Sequence, residues 1–132
     1  MTDTPTRPRI ALIHALEESV APIRAAFQAD WPEAFAFDLL DISLAMDRAH
    51  AGTLDAAMMA RFATLGNYAA GTHGLAGPTR GILFTCSAFG PAIDAVKARL
   101  PIPVLRPNES AFAEALALAQ GADPEIGLTL LR

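Results

Sequence analysis

The chain has 132 residues, of which 52% are hydrophobic and 18% are charged, and its formal net charge is −4. This length suits one domain with a buried core, and a mildly acidic balance without a basic patch argues against nucleic acid as a partner. The single cysteine and the lack of any apolar run of membrane-spanning length predict a cytoplasmic protein with no internal disulfide and no membrane partner.

The first forty residues predict a tail, a strand, a helix and a second strand. Residues 1–8 are polar, contain two prolines and predict a flexible tail. The apolar run "RIALIH" at 9–14 is typical of a strand buried on both faces. An apolar stripe from Val20 to Phe27 predicts a helix, and "FAFDLL" at 35–40 predicts the next strand.

The middle of the chain predicts a long helix followed by a third strand. Residues 41–52 have weak periodicity and suit either a loop or a short helix. The apolar residues from Leu54 to Ala69 recur at intervals of three and four, which predicts a helix. Four glycines and a proline predict a connection over 71–81, and "ILFT" predicts a strand over 82–85.

The last third repeats the strand–helix pattern. An apolar stripe over 89–100 predicts the third helix, and "IPVL" at 102–105 predicts a fourth strand. Asn108 suits a helix N-cap and Gly121 suits the residue after a helix end. Residues 126–131 predict a fifth strand.

Strands that alternate with helices predict an α/β fold, because parallel strands need helical crossovers that cover both faces of the sheet. The expected architecture is a flavodoxin-like, doubly wound parallel sheet of about five strands in the order 2-1-3-4-5. In such a sheet, ligands bind at the carboxyl ends of the strands where the strand order reverses, here between strands 1 and 3.

Cys86 and His14 are the candidate catalytic residues, because they end strands 3 and 1 at this point. A helix that begins directly after Cys86 would lower the pKa of its thiol. Its N–H groups, with the hydroxyls of Thr85 and Ser87, would hold a carboxylate. Ser43 follows strand 2 and could line the same site. The alternatives are a buried, inert cysteine and a histidine exposed at the start of a loop.

Five segments together resemble the aspartate/glutamate/hydantoin racemase superfamily, whose relatives include arylmalonate decarboxylases. The resemblance implies two similar flavodoxin-like lobes with the active site between them, no cofactor, and one cysteine from each lobe acting as an opposed acid and base. "GILFTCSAFG" followed by "IPVLRPNE" is its specific part. The segments are "IALIHAL" (10–16), "API" (21–23), "LLDISL" (39–44), "GILFTCSAFG" (81–90) and "IPVLRPNES" (102–110).

Residue by residue, the resemblance makes Cys86 the first-lobe cysteine and Ser87 a group that helps to hold the substrate carboxylate. Asn108 and Glu109 match a recurrent stretch at the start of the next helix and are candidate substrate-binding residues, although the first interpretation of Asn108 is a helix cap, since its spacing explains it without a substrate. The sequence has no second cysteine, and it ends where relatives continue into their second lobe. Residues 9–132 are therefore expected to form one lobe without its counterpart.

These observations predict a cofactor-independent racemase or isomerase in which the Cys86 thiolate removes the α-proton of a small carboxylic acid or amino acid. The second acid would be His14, a group from another chain, or none. The alternatives are a catalytically silent lobe that binds small acids and a one-cysteine, decarboxylase-like enzyme. The three histidines and the cysteine lack metal-ligand spacing. The open face of a lone lobe predicts a homo-oligomer, with a dimer as the simplest form.

Overall fold

The apolar runs of the sequence form the strands of a central sheet. A computed structural model describes residues 7–106, and its first two strands have the predicted bounds. The strands are β1 (Arg9–His14), β2 (Phe35–Leu40), β3 (His73–Gly74), β4 (Gly77–Phe84) and β5 (Val104–Leu105).

Four of these strands are parallel and lie in the order β2-β1-β4-β5. The predicted third and fourth strands are β4 and β5, so the predicted order is found for the first four strands. The sheet differs from the prediction by β3, which pairs antiparallel with the beginning of β4. The α/β class and the parallel sheet are confirmed, while the predicted strand at 126–131 lies outside the described residues.

The prediction of a connection over 71–81 is wrong for most of that segment. Strand β4 begins at Gly77 rather than at residue 82, because Thr79 already pairs with Arg9 of β1. The tight turn before it uses left-handed backbone at Ala76 and Gly77, with φ of 68° and 90°. The glycines therefore shape a hairpin instead of breaking the strand.

The helices cover the sheet on both faces. The first turn of the longest described helix, Ala56–Gly71, is capped by the Asp55 carboxylate, which accepts a hydrogen bond from the Met58 N–H at 2.9 Å. The segment 41–52 is mainly helical and ends at Gly52 with left-handed backbone. None of the described helices is long and apolar enough to cross a membrane. The helices are α1 (Val20–Asp30), α2 (Ser43–Ala51), α3 (Ala56–Gly71) and α4 (Gly90–Arg99).

Within the described part of the chain, two apolar cores lie on opposite faces of the sheet, because successive strand side chains point to opposite sides. Ile10 and Leu12 of β1 pack with residues of α1. Ala11 and Ile13 belong to the other core, which contains residues of α3 and α4. The alternation along β1 therefore assigns each of its side chains to one helical layer.

The predicted tail over residues 1–8 includes a residue that is part of the folded structure. Pro8 is buried, and its carbonyl accepts a hydrogen bond from the Phe35 N–H at 2.8 Å, which continues the pairing of β1 with β2. Residues 1–6 of that segment lie outside the described residues.

Candidate functional site

The carboxyl edge of the sheet brings together the ends of β1 and β4. Ile13 pairs with Phe84, and the Thr85 N–H donates to the Ile13 carbonyl at 3.0 Å. From this edge the chain continues to α1 on one face after β1 and to α4 on the other face after β4. This is the reversal of strand order at which α/β sheets bind ligands, and it holds His14 and Cys86 as the sequence predicts.

The side chains of the two predicted catalytic residues nevertheless belong to opposite faces. His14 follows Leu12 on the α1 face by strand alternation. Cys86 belongs to the core on the α3–α4 face, together with Ala15 and Phe89. The two side chains therefore point away from each other, and the structure shows no contact between His14 and Cys86 among the described residues.

His14 is wholly buried, and both of its ring nitrogens have partners. Nδ1 lies 2.7 Å from Thr85 Oγ1, and Nε2 lies 2.8 Å from Asp38 Oδ1. The other oxygen of the Asp38 carboxylate accepts a hydrogen bond from the Arg24 guanidinium. A continuous chain of polar groups thus runs from the surface at Arg24 to the sheet edge at Thr85.

Among these hydrogen-bonded polar groups, Asp38 is a residue that the sequence did not single out as part of a site. An aspartate inside the apolar run "FAFDLL" was the available signal, because a carboxylate that is partly removed from water favours a polar partner. Identifying that partner requires the register of β1 against β2, in which Leu12 pairs with Asp38 and His14 pairs with Leu40. The side chains of Asp38 and His14 then lie on the same face, two positions apart along the sheet.

Cys86 is a buried thiol, with 7% of its surface exposed. Burial raises the pKa of the Cys86 thiol to about 11, and hydrogen bonds from the N–H groups of Cys86 and Ala15 only partly oppose that rise. The predicted lowering of this pKa is therefore wrong. The α-helix does not begin directly after Cys86: a single 3₁₀ turn over Ser87–Phe89 comes first, and α4 begins at Gly90.

The predicted carboxylate cradle is only partly in place. The Thr85 hydroxyl is hydrogen-bonded to His14. Ser87 is exposed at the start of the 3₁₀ turn, next to the buried Cys86. Of the two hydroxyls expected to hold a carboxylate, Ser87 is the one that lies at the surface.

Ser43 belongs to a separate cluster at the end of β2. Its hydroxyl donates to Asp41 Oδ1 at 2.6 Å and accepts from Arg61 Nη2 at 2.5 Å. The hydrogen bond from the Ser43 side chain, assisted by its N–H and by Arg61, lowers the pKa of the Asp41 carboxyl. These contacts fix the start of α2 and occupy the Ser43 side chain.

Asn108 and Glu109, the other two predicted substrate-binding residues, lie outside the described residues. A cavity of about 310 Å³ is lined by residues of α1 and β2, and none of the predicted site residues lines it. Its lining includes Arg24, so it reaches the outer end of the polar chain.

No family model, curated protein or solved structure matches this chain. The resemblance to the racemase superfamily stays a prediction that rests on the sequence motifs.

Proposed function

We propose that this protein is a cofactor-independent enzyme that transfers a proton to or from the α-carbon of a small carboxylic acid, with Cys86 as the proton-carrying group. The observation that supports it most is the placement of Cys86. The thiol is next to the reversal of strand order, at the edge where ligands of such sheets bind.

The protonation state of Cys86 favours one form of this chemistry. A racemase base must be a thiolate in the resting enzyme, whereas a thiol with a pKa of about 11 carries its proton at neutral pH. A protonated thiol suits the acid that delivers a proton to a carbanion. The one-cysteine, decarboxylase-like reaction therefore fits Cys86 better than two-base racemisation does.

In the proposed reaction, a substrate with two carboxylates on one carbon loses carbon dioxide. The bond between the α-carbon and the leaving carboxylate breaks, and its electron pair stays on the α-carbon as an enediolate. The Cys86 S–H bond then breaks as the new α-C–H bond forms. The N–H groups of Cys86 and Ala15 stabilise the thiolate that remains, and solvent returns its proton.

The geometry does not favour His14 as the second acid or base beside Cys86, because its ring nitrogens contact Thr85 and Asp38 while Cys86 belongs to the core on the other face. Proton transfer by one group requires no such partner, which is a further reason for preferring this form. A catalytically silent lobe that binds small acids is the remaining alternative, and the inertness of a buried thiol is the feature that favours it.

Association with a second copy of the chain is part of the proposal. Three apolar side chains at the carboxyl edge are about half or more exposed: Leu16 at 48%, Ile42 at 52% and Met46 at 65%. Covering them in a dimer would remove apolar surface from water beside the site. We expect sedimentation to detect a dimer that Ile42→Asp weakens, while a wild-type monomer at high concentration would contradict this part.

The function is tested by following the α-carbon by NMR in D2O. The wild-type chain and the Cys86→Ala and Cys86→Ser variants are incubated with 2-substituted malonates, and separately with aspartate, glutamate and a hydantoin. We expect decarboxylation of a malonate with one deuterium placed on the α-carbon, and loss of this reaction in both variants. Exchange of the amino-acid α-proton would instead favour racemisation by a Cys86 thiolate. No reaction with any substrate would contradict the proposed enzyme and favour the catalytically silent lobe.

A further inference from the structure

The buried polar chain on the α1 face has the arrangement of a nucleophile, a base and an orienting acid. Thr85 Oγ1 lies 2.7 Å from His14 Nδ1, and His14 Nε2 lies 2.8 Å from Asp38 Oδ1. A hydroxyl within hydrogen-bonding distance of a base that a third group orients is the general signature of an activated nucleophile. The proposed function does not use this chain of groups.

The direction of the hydrogen bonds follows from the chemistry of the partners. An ionised carboxylate only accepts hydrogen bonds, and Asp38 is paired with the Arg24 guanidinium. His14 Nε2 must therefore carry a hydrogen, which it donates to Asp38. In the neutral ring this leaves a lone pair on Nδ1, which accepts from the Thr85 hydroxyl.

Among residues 7–106, the Thr85 hydroxyl has one other acceptor within reach, the Ile13 carbonyl at 3.4 Å. Its distance of 2.7 Å to His14 Nδ1 is much shorter, so the proton is directed to the base. Exposure also changes along the chain of groups: His14 is wholly buried, whereas Thr85 is half-buried at the sheet edge. Thr85, unlike His14, is therefore partly accessible to a ligand at the carboxyl edge.

We propose that Thr85 is the nucleophile of an acyl-transfer site that takes small carboxylic esters, with His14 as general base and Asp38 as its positioning residue. Thr85 Oγ attacks the ester carbonyl carbon and forms a C–O bond, while its proton passes to His14 Nδ1. His14 then gives that proton to the departing alkoxide as the original ester bond breaks. Water, deprotonated by His14, attacks the acyl-threonine, releases the acid and restores the hydroxyl.

The test uses 4-nitrophenyl acetate with the full chain in a Cys86→Ser background, so that the thiol cannot accept the acetyl group. We expect release of nitrophenol with the gain of one acetyl group on the peptide that contains Thr85. Thr85→Val removes the hydroxyl at nearly constant shape and should abolish this acetylation, while Thr85→Ser should retain it.

Asp38→Asn tests the positioning role without truncating a buried side chain. It should lower the acetylation rate by roughly tenfold or more, since a positioned general base contributes about 10²–10⁴-fold. Circular dichroism of each variant checks that the fold is retained. Acetylation of Thr85→Val at the parental rate, or an acetyl group found only on other residues, would overturn the inference. Because the thiol is absent in every arm, the outcome is independent of the reaction proposed for Cys86.

Discussion

The reactivity of Cys86 toward an alkylating agent should be low and should rise only at high pH. The thiolate is the reacting form, and burial raises the pKa of this thiol to about 11. At pH 8 a thiol of that pKa is about 0.1% ionised, whereas a thiol with the ordinary value of 9.0 is about 10% ionised. The protonation state alone therefore slows alkylation by about a hundredfold, and restricted access to a side chain that is 7% exposed slows it further.

The assay measures the iodoacetamide rate constant by intact-protein mass spectrometry from pH 7 to pH 10.5. The same chain unfolded in urea provides the reference thiol, and Cys86→Ala shows any alkylation at other sites. In the folded chain the rate should still be rising at pH 10, while the unfolded reference approaches its plateau. A folded-state midpoint at or below pH 8.5 would refute the argument that burial dominates over the two N–H groups.

Three further predictions concern stability, each measured by urea unfolding. Folding raises the pKa of Cys86, so the contribution of this thiol to the free energy of unfolding is full below the ordinary pKa and is lost as pH rises from about 9 towards 11. Between pH 8 and pH 10 the free energy of unfolding of the wild type should therefore fall by about 1 kcal/mol more than that of Cys86→Ala. Equal losses in the two chains would contradict this. Gly66→Ala would place Cβ 2.6 Å from Val96 Cγ1 and should cost about 1–3 kcal/mol, whereas Gly71→Ala meets no atom within 4 Å and should cost nothing. Asp55→Ala removes the cap of α3 and should cost about 1 kcal/mol; an unchanged midpoint would show that the cap does not stabilise the helix.

The buried strand β1 and the half-buried strand β2 were predictable, because a short apolar run flanked by polar or turn-forming residues is typical of a strand. The bounds of β1 and β2 follow from the runs at 9–14 and 35–40 alone. The start of β4 at Gly77 was not predictable, since local composition favours a turn there. Pairing of Thr79 with Arg9, a partner 70 residues away, overrides that local preference.

The edge that holds the candidate site was predictable, but the directions of its side chains were not. Because His14 and Cys86 follow the ends of two parallel strands, both residues are predicted to lie at the carboxyl edge of the sheet. The face of the sheet to which each side chain points depends on the strand bounds, including where β4 begins and ends. An error in those bounds therefore makes the predicted face unreliable. The contact between His14 and Asp38 depends in addition on the register between β1 and β2, which is set by packing rather than by local sequence.

The low exposure of Cys86 also depends on tertiary structure. Sequence position suggested a thiol at the start of a helix, where the pKa would fall. A 3₁₀ turn over Ser87–Phe89 instead separates Cys86 from α4, and the thiol packs in the core beside Phe89. The desolvation that follows from this packing reverses the expected direction of the pKa shift.

The measurement that tests the central claim most directly is the position of the label after a 2-substituted malonate is incubated with the chain in D2O. We predict a monoacid with one deuterium on the α-carbon, formed by the wild type and not by Cys86→Ala. Formation of the same product at equal rates by both chains, or no product from the wild type, would contradict the claim that Cys86 delivers a proton to the α-carbon.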